Sequence, residues 1–484
     1  MSIYSNVLKW QTWLCGVLAV ESLSLITHFV PEFGIIAFSA VILIFTYLSL
    51  RSYALGVLIA LTELFIGSQG HILSLASYGL PVSLRIALFV ILAIIGVWRI
   101  FNDDRGFNYK DVSIKHWPIW LWLGLVILSV CLGFLRGYQL PSIFFDANNY
   151  LFLLFILPLA IAIKDETFTS KIVQVFIWSV VYLAAKTLLL EYLFTHGDYE
   201  KWLPDIYTWL RDARIAEITF TSTGAYRIFM QSQIFLLPAW WLLVWSSRVD
   251  SLRHIWRKAG VAGLIASGIL ISFSRSFWLG WLISAVAYGV WTLWQGEWRV
   301  LLRTAMFGTV SVITGIVFIW VSIQIPIPSA GRGSLDLASR LDMSNEAAAS
   351  SRWNMLQPLW HAIVQSPVVG HGFGSSVTYI SDDPRVRAVS PDGTYTTTNF
   401  EWGYLDQWLD LGLLGVALII GIGGYLVYYL VALDASKYLP LALGLVAIYG
   451  VHIGTPYLNH PLGLIYVLLL WVLVKYDSSA RQFA

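Results

Sequence analysis

The sequence predicts an all-α polytopic membrane protein with about 12 to 14 transmembrane helices and one large helical outer loop. Two observations support this fold class. Of the 484 residues, 58% are hydrophobic and only 12% are charged, whereas about a quarter of the residues in soluble domains are charged. Long apolar segments recur along the whole chain, and one long polar stretch interrupts them near its C-terminal end.

A membrane-spanning helix needs about 20 mainly apolar residues. Fourteen segments are candidates on this criterion. They lie near 11–30, 33–50, 53–74, 82–100, 117–135, 147–163, 172–193, 228–246, 259–273, 276–295, 303–323, 411–432, 439–455 and 461–475. The predicted domains are therefore a bundle over 1–323, a large outer loop over 324–410 and C-terminal transmembrane helices over 411–484. A smaller outer loop lies near 194–227.

The basic residues indicate the orientation of the chain. Lys and Arg are frequent in alternate loops, as at Lys110 and Lys115, whereas the short loops 74–81 and 456–460 on the other side have none. Cytoplasmic loops carry the excess of Lys and Arg. Both termini are therefore predicted to be cytoplasmic, and the two long loops to face outward.

Charged residues well inside the apolar segments are Glu21, Glu63, Arg85, Lys186 and Glu191. Charges are costly in hydrocarbon, so we expect them to face protein, water or each other. The sequence has no convincing internal repeat, which disfavours transporter folds built from inverted repeats.

The outer loops and the outer ends of spans are rich in arginine. A guanidinium matches phosphate oxygens in a bidentate fork, so the set indicates a surface that binds phosphate. For any single arginine, pairing with Asp or Glu is an equal alternative. The set comprises Arg136, Arg211, Arg214, Arg227, Arg275, Arg332, Arg340, Arg352, Arg385 and Arg387.

The large outer loop contains a predicted helix over 345–361, with Asn345 as its N-cap. Helical spacing places Arg352 and Leu356 on one face, where the arginine can meet a lipid phosphate. Pro358 lies inside the pattern and predicts a kink or an early end of the helix.

The segment after this helix carries Gly370, Gly372 and Gly374. These glycines allow close backbone approach, and a glycine-rich turn can hold phosphate through its amides. A simple connector between helices is the alternative. His371 within the turn is a candidate general base.

Glu401 is spaced with Leu405, Trp408 and Leu411 at intervals of three to four residues, so the four can share a helical face at the edge of the bilayer. A partly desolvated carboxylate there would suit proton abstraction. The alternative is a solvated Glu that interacts with the helix dipole.

Three motifs in this order and spacing resemble the O-antigen ligase and polymerase superfamily of bacterial envelope glycosyltransferases. They are Ser351-Arg352, Pro367-x-x-Gly-x-Gly-x-Gly374 and Gly412-x-x-Gly415. ISFSRSFWLGWL around Arg275 and TGAYRIFMQSQ around Arg227 are similar to the family's arginine-containing elements. The resemblance covers roughly 117–432.

The chain departs from the ligase pattern at one position. Those ligases have a His followed by Asn, Ser or Gln before the Gly-x-x-Gly motif, and here Glu401 and Trp402 occupy the two positions. Glutamate keeps a possible base, so we favour Glu401 over His371. The substitution leaves both ligase and polymerase open.

The resemblance implies a GT-C-like glycosyltransferase of the bacterial inner membrane with its active site on the periplasmic face. It would transfer glycan from an undecaprenyl diphosphate-linked donor to a hydroxyl of lipid A core or of another lipid-linked glycan. Expected roles are base for Glu401, donor diphosphate binding for Arg352, Arg275, Arg227 and Arg136, and substrate approach for Gly370, Gly372, Gly374 and Trp402.

We expect no cofactor and no nucleic-acid partner. Membrane lipid is an expected partner of the chain. Asp382 and Asp383 are adjacent, and neighbouring carboxylates point apart on most backbones, so we predict catalysis without metal. The alternative function is a flippase or transporter of lipid-linked oligosaccharide.

Overall fold

The computed structural model describes residues 9–77, 80–102, 116–198, 200–221, 225–249, 252–326 and 347–476. Asn345, Arg332 and Arg340 lie outside these ranges. The chain is an all-α polytopic membrane protein, as predicted. In the described ranges, nine helices are long and apolar enough to cross a membrane, and two shorter apolar helices accompany them.

All fourteen predicted segments overlap helices, although 53–74 extends past its helix to a strand and 228–246 begins in one. The helices are α1 (Trp10–Phe29), α2 (Gly34–Arg51), α3 (Tyr53–Ile66), α4 (Leu84–Asn102), α5 (Trp117–Leu135), α6 (Leu140–Ala147), α7 (Ile156–Ala162), α8 (Phe168–His196), α9 (Leu203–Asp212), α10 (Leu236–Ser246), α11 (Leu252–Ile271), α12 (Arg275–Trp294), α13 (Trp298–Gln324), α14 (Ala347–Gln365), α15 (Pro384–Val389), α16 (Gly403–His452) and α17 (Pro461–Tyr476). Five short 3-10 helices join them at Pro31–Phe33, Asn148–Phe155, Gln231–Phe235, Ser247–Val249 and Tyr457–Asn459.

The described loops also contain antiparallel hairpins, which the expectation of a purely helical outer loop did not include. They pair β1 (Ser74–Ser77) with β2 (Leu80–Ser83), β3 (Glu217–Phe220) with β4 (Tyr226–Phe229), and β5 (Val377–Ile380) with β6 (Thr394–Thr397). In the last hairpin Tyr379 faces Tyr395, and the hydroxyls of Thr378 and Thr396 are 2.8 Å apart. β-Branched and aromatic residues on both strands favour this pairing.

The chain divides into two compact units. Unit one comprises Met1–Phe107, Leu157–Phe273 and Thr304–Leu335, and unit two comprises Asn108–Ile156, Ser274–Arg303 and Asp336–Ala484. The predicted boundary at 410 falls inside α16. The division into bundle, outer loop and C-terminal helices therefore stays a prediction.

Unit one is built around α3, whose side chains are almost all buried. The rings of Phe65, Phe176 and Phe235 meet edge to face, with centroids 5.0 to 6.2 Å apart, an arrangement that stabilises aromatic pairs beyond area burial.

Four of the five charged residues inside unit one pair with each other, and the fifth faces protein, as expected. Arg85 binds both carboxylate oxygens of Glu63, at 2.8 and 3.0 Å, and Lys186 lies 2.6 Å from Glu21. Pairing lowers the cost of placing these charges among apolar helices. The fifth, Glu191, instead accepts a hydrogen bond from the Tyr226 backbone N–H.

Unit two is organised by α16, which has non-helical backbone at Gly412 and Asp434. Gly403 at its beginning lies against His452 at its end, so the element doubles back on itself. The helix α12 packs against its second half, where the Cα of Gly280 approaches Gly450. Small residues of this kind allow membrane helices to pack by close van der Waals contact.

Candidate functional site

Residues 347–400 of unit two pack on the beginning of α16 through an apolar cluster. Its six buried residues are Met355, Leu359, Ile363, Val377, Phe400 and Leu409. Three of them recur at i, i+4 and i+8 on α14, so this helix presents one continuous buried stripe. The cluster fixes α14 and α16 side by side.

Pro358 does not end α14, which continues to Gln365. Proline removes one backbone hydrogen bond and clashes with the preceding turn. Because Leu359 and Ile363 beyond the proline are 0% and 1% exposed, their packing offsets that cost. The predicted early end is therefore wrong, since tertiary packing outweighs the local penalty.

Arg352 and Glu401 form an ion pair between α14 and the segment before α16. Their side chains are 45% and 49% exposed. Trp402 supports the pair, because its Nε1 donates a hydrogen bond of 3.1 Å to the carbonyl oxygen of Arg352 and its ring meets Trp353 edge to face at 5.3 Å. The structure thus joins the predicted base with one of the predicted phosphate ligands.

Glu401 precedes α16 and does not share its face, in contrast to the expectation. The helix begins at Gly403, with Trp402 as its N-cap. The helix thus begins two residues after Glu401. A Cβ on Gly403 would collide with the His452 carbonyl, so the glycine permits the close contact at this point. Leu405 and Trp408 do pack against the apolar cluster. About half of the Glu401 side chain is exposed, so its desolvation is partial.

The glycine-rich turn lies within unit two between α5 and α16. Gly370, Gly372 and Gly374 have φ values of 81°, 79° and 87°, in the left-handed region that other residues adopt only with strain. A Cβ on Gly370 would lie 2.7 Å from the carbonyl oxygen of Asp410, and one on Gly372 would lie 2.8 Å from that of Ser129. These contacts give the glycines a packing role, and their role in substrate approach stays a prediction.

The glycine-rich turn packs against the break in α16 at Gly412. Gly412 has φ 71° and ψ −178°, so the Leu413 N–H leaves the helix ladder and donates to the Pro367 carbonyl at 2.9 Å. The freed Leu409 carbonyl accepts the His371 N–H at 2.5 Å. The two backbone groups that the break frees thus have new hydrogen-bond partners. The Gly412-x-x-Gly415 motif lies where the glycine-rich turn contacts α16.

His371, the rival base, is tied to α14. Its Nε2 lies 2.7 Å from the Ala362 carbonyl oxygen. A carbonyl oxygen only accepts, so we assign the ring proton to Nε2. That nitrogen is therefore a donor in this arrangement, and only Nδ1 is left to act as a base.

Arg275 lies at the same end of unit two as Glu401. It is the first residue of α12, and its neighbour Ser276 has its hydroxyl 2.8 Å from that of Thr455. Thr455 follows α16 by three residues, and the end of α16 contacts Gly403. A helix N-terminus with an arginine is suited to an anion.

Arg136 lies at another end of unit two, and Arg227 belongs to unit one. The Nη2 of Arg136 donates to the Ser366 hydroxyl at 3.3 Å, beyond the far end of α14, and a rise of 1.5 Å per residue places Ser366 about 20 Å from Arg352. Arg227 belongs to unit one, where its Nε donates to the Ser272 carbonyl at 3.1 Å and its Nη1 lies 3.9 Å from Glu217.

The two adjacent acidic residues before α15, Asp382 and Asp383, are each paired with an arginine. Arg387 Nη2 lies 2.6 Å from Asp382, and Arg385 Nη2 lies 2.7 Å from Asp383. Hydrogen bonds from Ser350 and then Asn354, with the charge of Arg387, hold the pKa of Asp382 below its ordinary value. Arg385 lowers the pKa of Asp383 in the same way.

A buried carboxyl cluster in unit two was missed by the sequence reasoning. Asp406 and Asp410 are one helical turn apart and only 7% and 6% exposed, and Asp146 lies near both. Asp146 accepts the Gly374 N–H at 2.8 Å, and Asp410 accepts the Ser375 hydroxyl at 3.2 Å. Two aspartates at i and i+4 in an apolar helix were the available signal.

No basic residue in the described ranges pairs with these three carboxyl groups. The fully buried Gln407 lies beside Tyr150 next to the cluster. The cluster anchors the glycine-rich turn through Gly374 and Ser375 and lies within two turns of the beginning of α16.

Comparison with known proteins identifies the segment that holds most of these residues. A family model described as O-antigen ligase matches residues 260–420. No curated protein and no solved structure matches the chain. The matched range contains Arg275, Arg352, the glycine-rich turn, Glu401 and the Gly412-x-x-Gly415 motif, so the predicted resemblance is confirmed there. Arg136 and Arg227 lie outside it.

Proposed function

We propose that this membrane protein, which carries an O-antigen ligase domain over residues 260–420, transfers glycan from an undecaprenyl diphosphate-linked donor to an acceptor hydroxyl. The domain match supports a membrane ligase or polymerase that transfers glycan. The proposed roles of base and diphosphate ligand rest on one observation, the ion pair between Arg352 and Glu401. This pair places a carboxylate, at the position where the ligases have histidine, beside a phosphate-matching guanidinium.

In the proposed reaction Glu401 takes the proton of the acceptor hydroxyl. The acceptor oxygen then forms a bond to the anomeric carbon of the donor sugar, while the bond from that carbon to the diphosphate breaks. The leaving undecaprenyl diphosphate keeps the electron pair. A neighbouring guanidinium stabilises the charge that develops on it.

We assign the diphosphate to Arg352 and Arg275, because both lie at the end of unit two that holds Glu401. A guanidinium has five N–H donors, so Arg352 can contact a phosphate oxygen while it stays beside Glu401. Arg136 lies about 20 Å along α14 and cannot share one diphosphate with Arg352. The proposal therefore does not include the predicted role of Arg136 at this diphosphate. Arg227 stays a predicted donor ligand, and Trp402 a predicted substrate contact.

Metal independence is part of the proposal. The adjacent Asp382 and Asp383, the carboxylates most suggestive of a metal site in the sequence, are each engaged by an arginine. Turnover is expected to be unchanged in excess EDTA. Loss of turnover that divalent cations restore would contradict metal independence.

The decisive experiment is transfer in vitro with purified protein and an undecaprenyl diphosphate-linked glycan. Lipid A core and a second carrier-linked glycan are offered as separate acceptors. Attachment to lipid A core identifies a ligase, and products of increasing glycan length identify a polymerase. Movement of the carrier across proteoliposomes without any transfer product would instead establish the flippase function.

The proposed location is the bacterial inner membrane, with both termini cytoplasmic and the site on the periplasmic face. Ser376, an exposed residue after the glycine-rich turn, offers a test once Cys15 and Cys131 are replaced by Ala. A membrane-impermeant thiol reagent is expected to label Ser376→Cys from the periplasm of intact cells. Labelling only after the inner membrane is opened would overturn this orientation.

A further inference from the structure

Unit one contains a cavity of about 230 Å³ that the proposed reaction does not use. It is formed where the end of α3, the segment from α9 to β3, and the end of β4 meet. The polar and aromatic residues that line it include Gln69, Arg211, Arg214, Glu217, Phe229 and Gln231. Its volume is below the roughly 300–1,000 Å³ of pockets for drug-sized ligands. It therefore suits one small polar group rather than a lipid chain.

The wall at Ser68, which also lines the cavity, is held rigidly. The Ser68 N–H donates to Ser232 Oγ at 2.7 Å, and its hydroxyl accepts the Gln231 N–H at 3.1 Å. Its carbonyl accepts Arg85 Nη2 at 2.9 Å, and Arg85 is itself anchored by the buried pair with Glu63. Such a fixed wall preorganises the groups beside it.

Two lining residues have left-handed backbone without being glycine: Ser68 with φ 52° and Arg214 with φ 50°. Such a conformation is strained for a residue with a side chain and persists where the surrounding structure over-determines it. Strain of this kind is concentrated at binding and catalytic sites. Its occurrence twice in one cavity makes the cavity a candidate binding site.

Two arginines and one glutamate line the cavity. Arg211 is balanced by Asp212 at 2.8 Å, and Glu217 lies 3.9 Å from Arg227, but Arg214 has no ion-pair partner within the described residues. The imidazole of His71 lies nearby. Burial first, and then the charges of Arg214 and Arg85, lower the pKa of His71 to about 4.

The other lining groups suit hydroxyls. Gln69 offers an amide donor and an acceptor, and Glu217 offers acceptor oxygens. Phe229 adds an apolar ring, with the Arg227 guanidinium 4.9 Å from its centroid. One unpaired guanidinium, amide and carboxylate groups, and one ring together match a polar ring that bears hydroxyls and one negative charge.

We propose that this cavity binds a single anionic sugar residue of the glycan substrate, one that carries a carboxylate or a phosphate. Arg214 receives the anionic group, and Gln69 and Glu217 hydrogen-bond the ring hydroxyls. The identification of the ligand as a sugar rests on the proposed function. Its single negative charge and its size rest on the cavity.

The test measures binding by saturation-transfer NMR and calorimetry with the purified full chain in detergent. The probes are glucuronate, glucose 6-phosphate, glucose and inorganic phosphate. We expect glucuronate or glucose 6-phosphate to bind more tightly than glucose, and the tighter of the two identifies the anionic group. Inorganic phosphate that binds as well as the sugar phosphate, or no binding by either sugar anion, would overturn the proposal.

Arg214→Gln is expected to weaken binding of the sugar anion about tenfold, because it removes one charge-assisted contact. The matched control is Lys201→Gln in the same outer segment, where the lysine is 76% exposed and paired with Asp198. It is expected to leave binding unchanged. If Arg214→Gln alters the thermal midpoint, Gln69→Ala serves as a second variant and is expected to weaken both sugar anions and glucose together. Equal binding by wild type and both lining variants would overturn the site.

Failure of this inference is distinguishable from failure of the proposed function. Binding of a sugar anion that depends on Arg214, with no transfer product in vitro, would retain the cavity site and refute the transferase. Transfer of an acidic glycan that Arg214→Gln does not change, with no binding of the anionic probes, would retain the transferase and refute the cavity site.

Discussion

The ion pair between Arg352 and Glu401 connects helix α14 to the segment that precedes α16, because Glu401 lies two residues before that helix. Both side chains are about half exposed, and an exposed ion pair contributes only about 0–1 kcal/mol to stability. The packing of residues 347–400 on α16 depends instead on the apolar cluster around Leu359 and Leu409. Removal of either charge should therefore affect chemistry far more than folding, and the pair can be tested by substitution.

Glu401→Gln is expected to lower the turnover number for glycan transfer by about 100-fold or more, since a general base contributes 10²–10⁴-fold. The amide is isosteric, so the thermal midpoint should stay within error of wild type. Single-turnover assays with purified protein measure the effect. The control is Glu297→Gln, an exposed Glu between α12 and α13, which should keep full turnover. Full turnover by Glu401→Gln would refute the base assignment, and the corresponding His371→Gln variant would then be the next to test.

Arg352→Ala is expected to lower kcat/KM for the diphosphate-linked donor about 100-fold, as loss of one oxyanion donor does elsewhere. Arg352→Lys should recover part of this loss, because lysine keeps the charge but not the bidentate fork. Arg385→Ala provides a control, since Arg385 is 89% exposed in the same loop and pairs with Asp383. Donor-concentration series for the three variants supply the measurement. Equal losses for Arg352→Ala and Arg385→Ala would show a general effect of loop charge.

The transmembrane helices could be predicted because length and apolar content alone determine them. The end of α14 could not, because the packing of Leu359 and Ile363 outweighs the local effect of Pro358. The break at Gly412 could not be predicted either, because the Pro367 carbonyl that accepts the Leu413 N–H is distant in sequence. The carboxyl cluster could not be predicted for the same reason. Asp146 and Asp406 are far apart in the chain, and only the fold brings them together.

Gly370→Ala is expected to destabilise unit two by more than about 1 kcal/mol. The new side chain would require a left-handed backbone and would lie 2.5 Å from the Gly412 nitrogen, and incompatible Gly→Ala changes cost more than 1 kcal/mol. Gly424→Ala in α16 is the matched control, because its Cβ would meet nothing within 4 Å and alanine favours helix. Thermal unfolding in detergent compares the two. A midpoint for Gly370→Ala at or above that of Gly424→Ala would show that the turn adapts freely.

Asp410→Asn is expected to leave the thermal midpoint unchanged or to raise it, whereas Asp410→Ala should lower it. A buried carboxylate without a basic partner is costly, and the amide keeps an acceptor for the Ser375 hydroxyl while it removes that charge. Alanine leaves the hydroxyl without this partner, which costs about 1–3 kcal/mol. Paired unfolding measurements in detergent at low and high salt distinguish the possibilities. A cation bound among Asp146, Asp406 and Asp410 would reverse the result: Asp410→Asn would then lower the midpoint, and the wild-type midpoint would depend on the identity of the added cation.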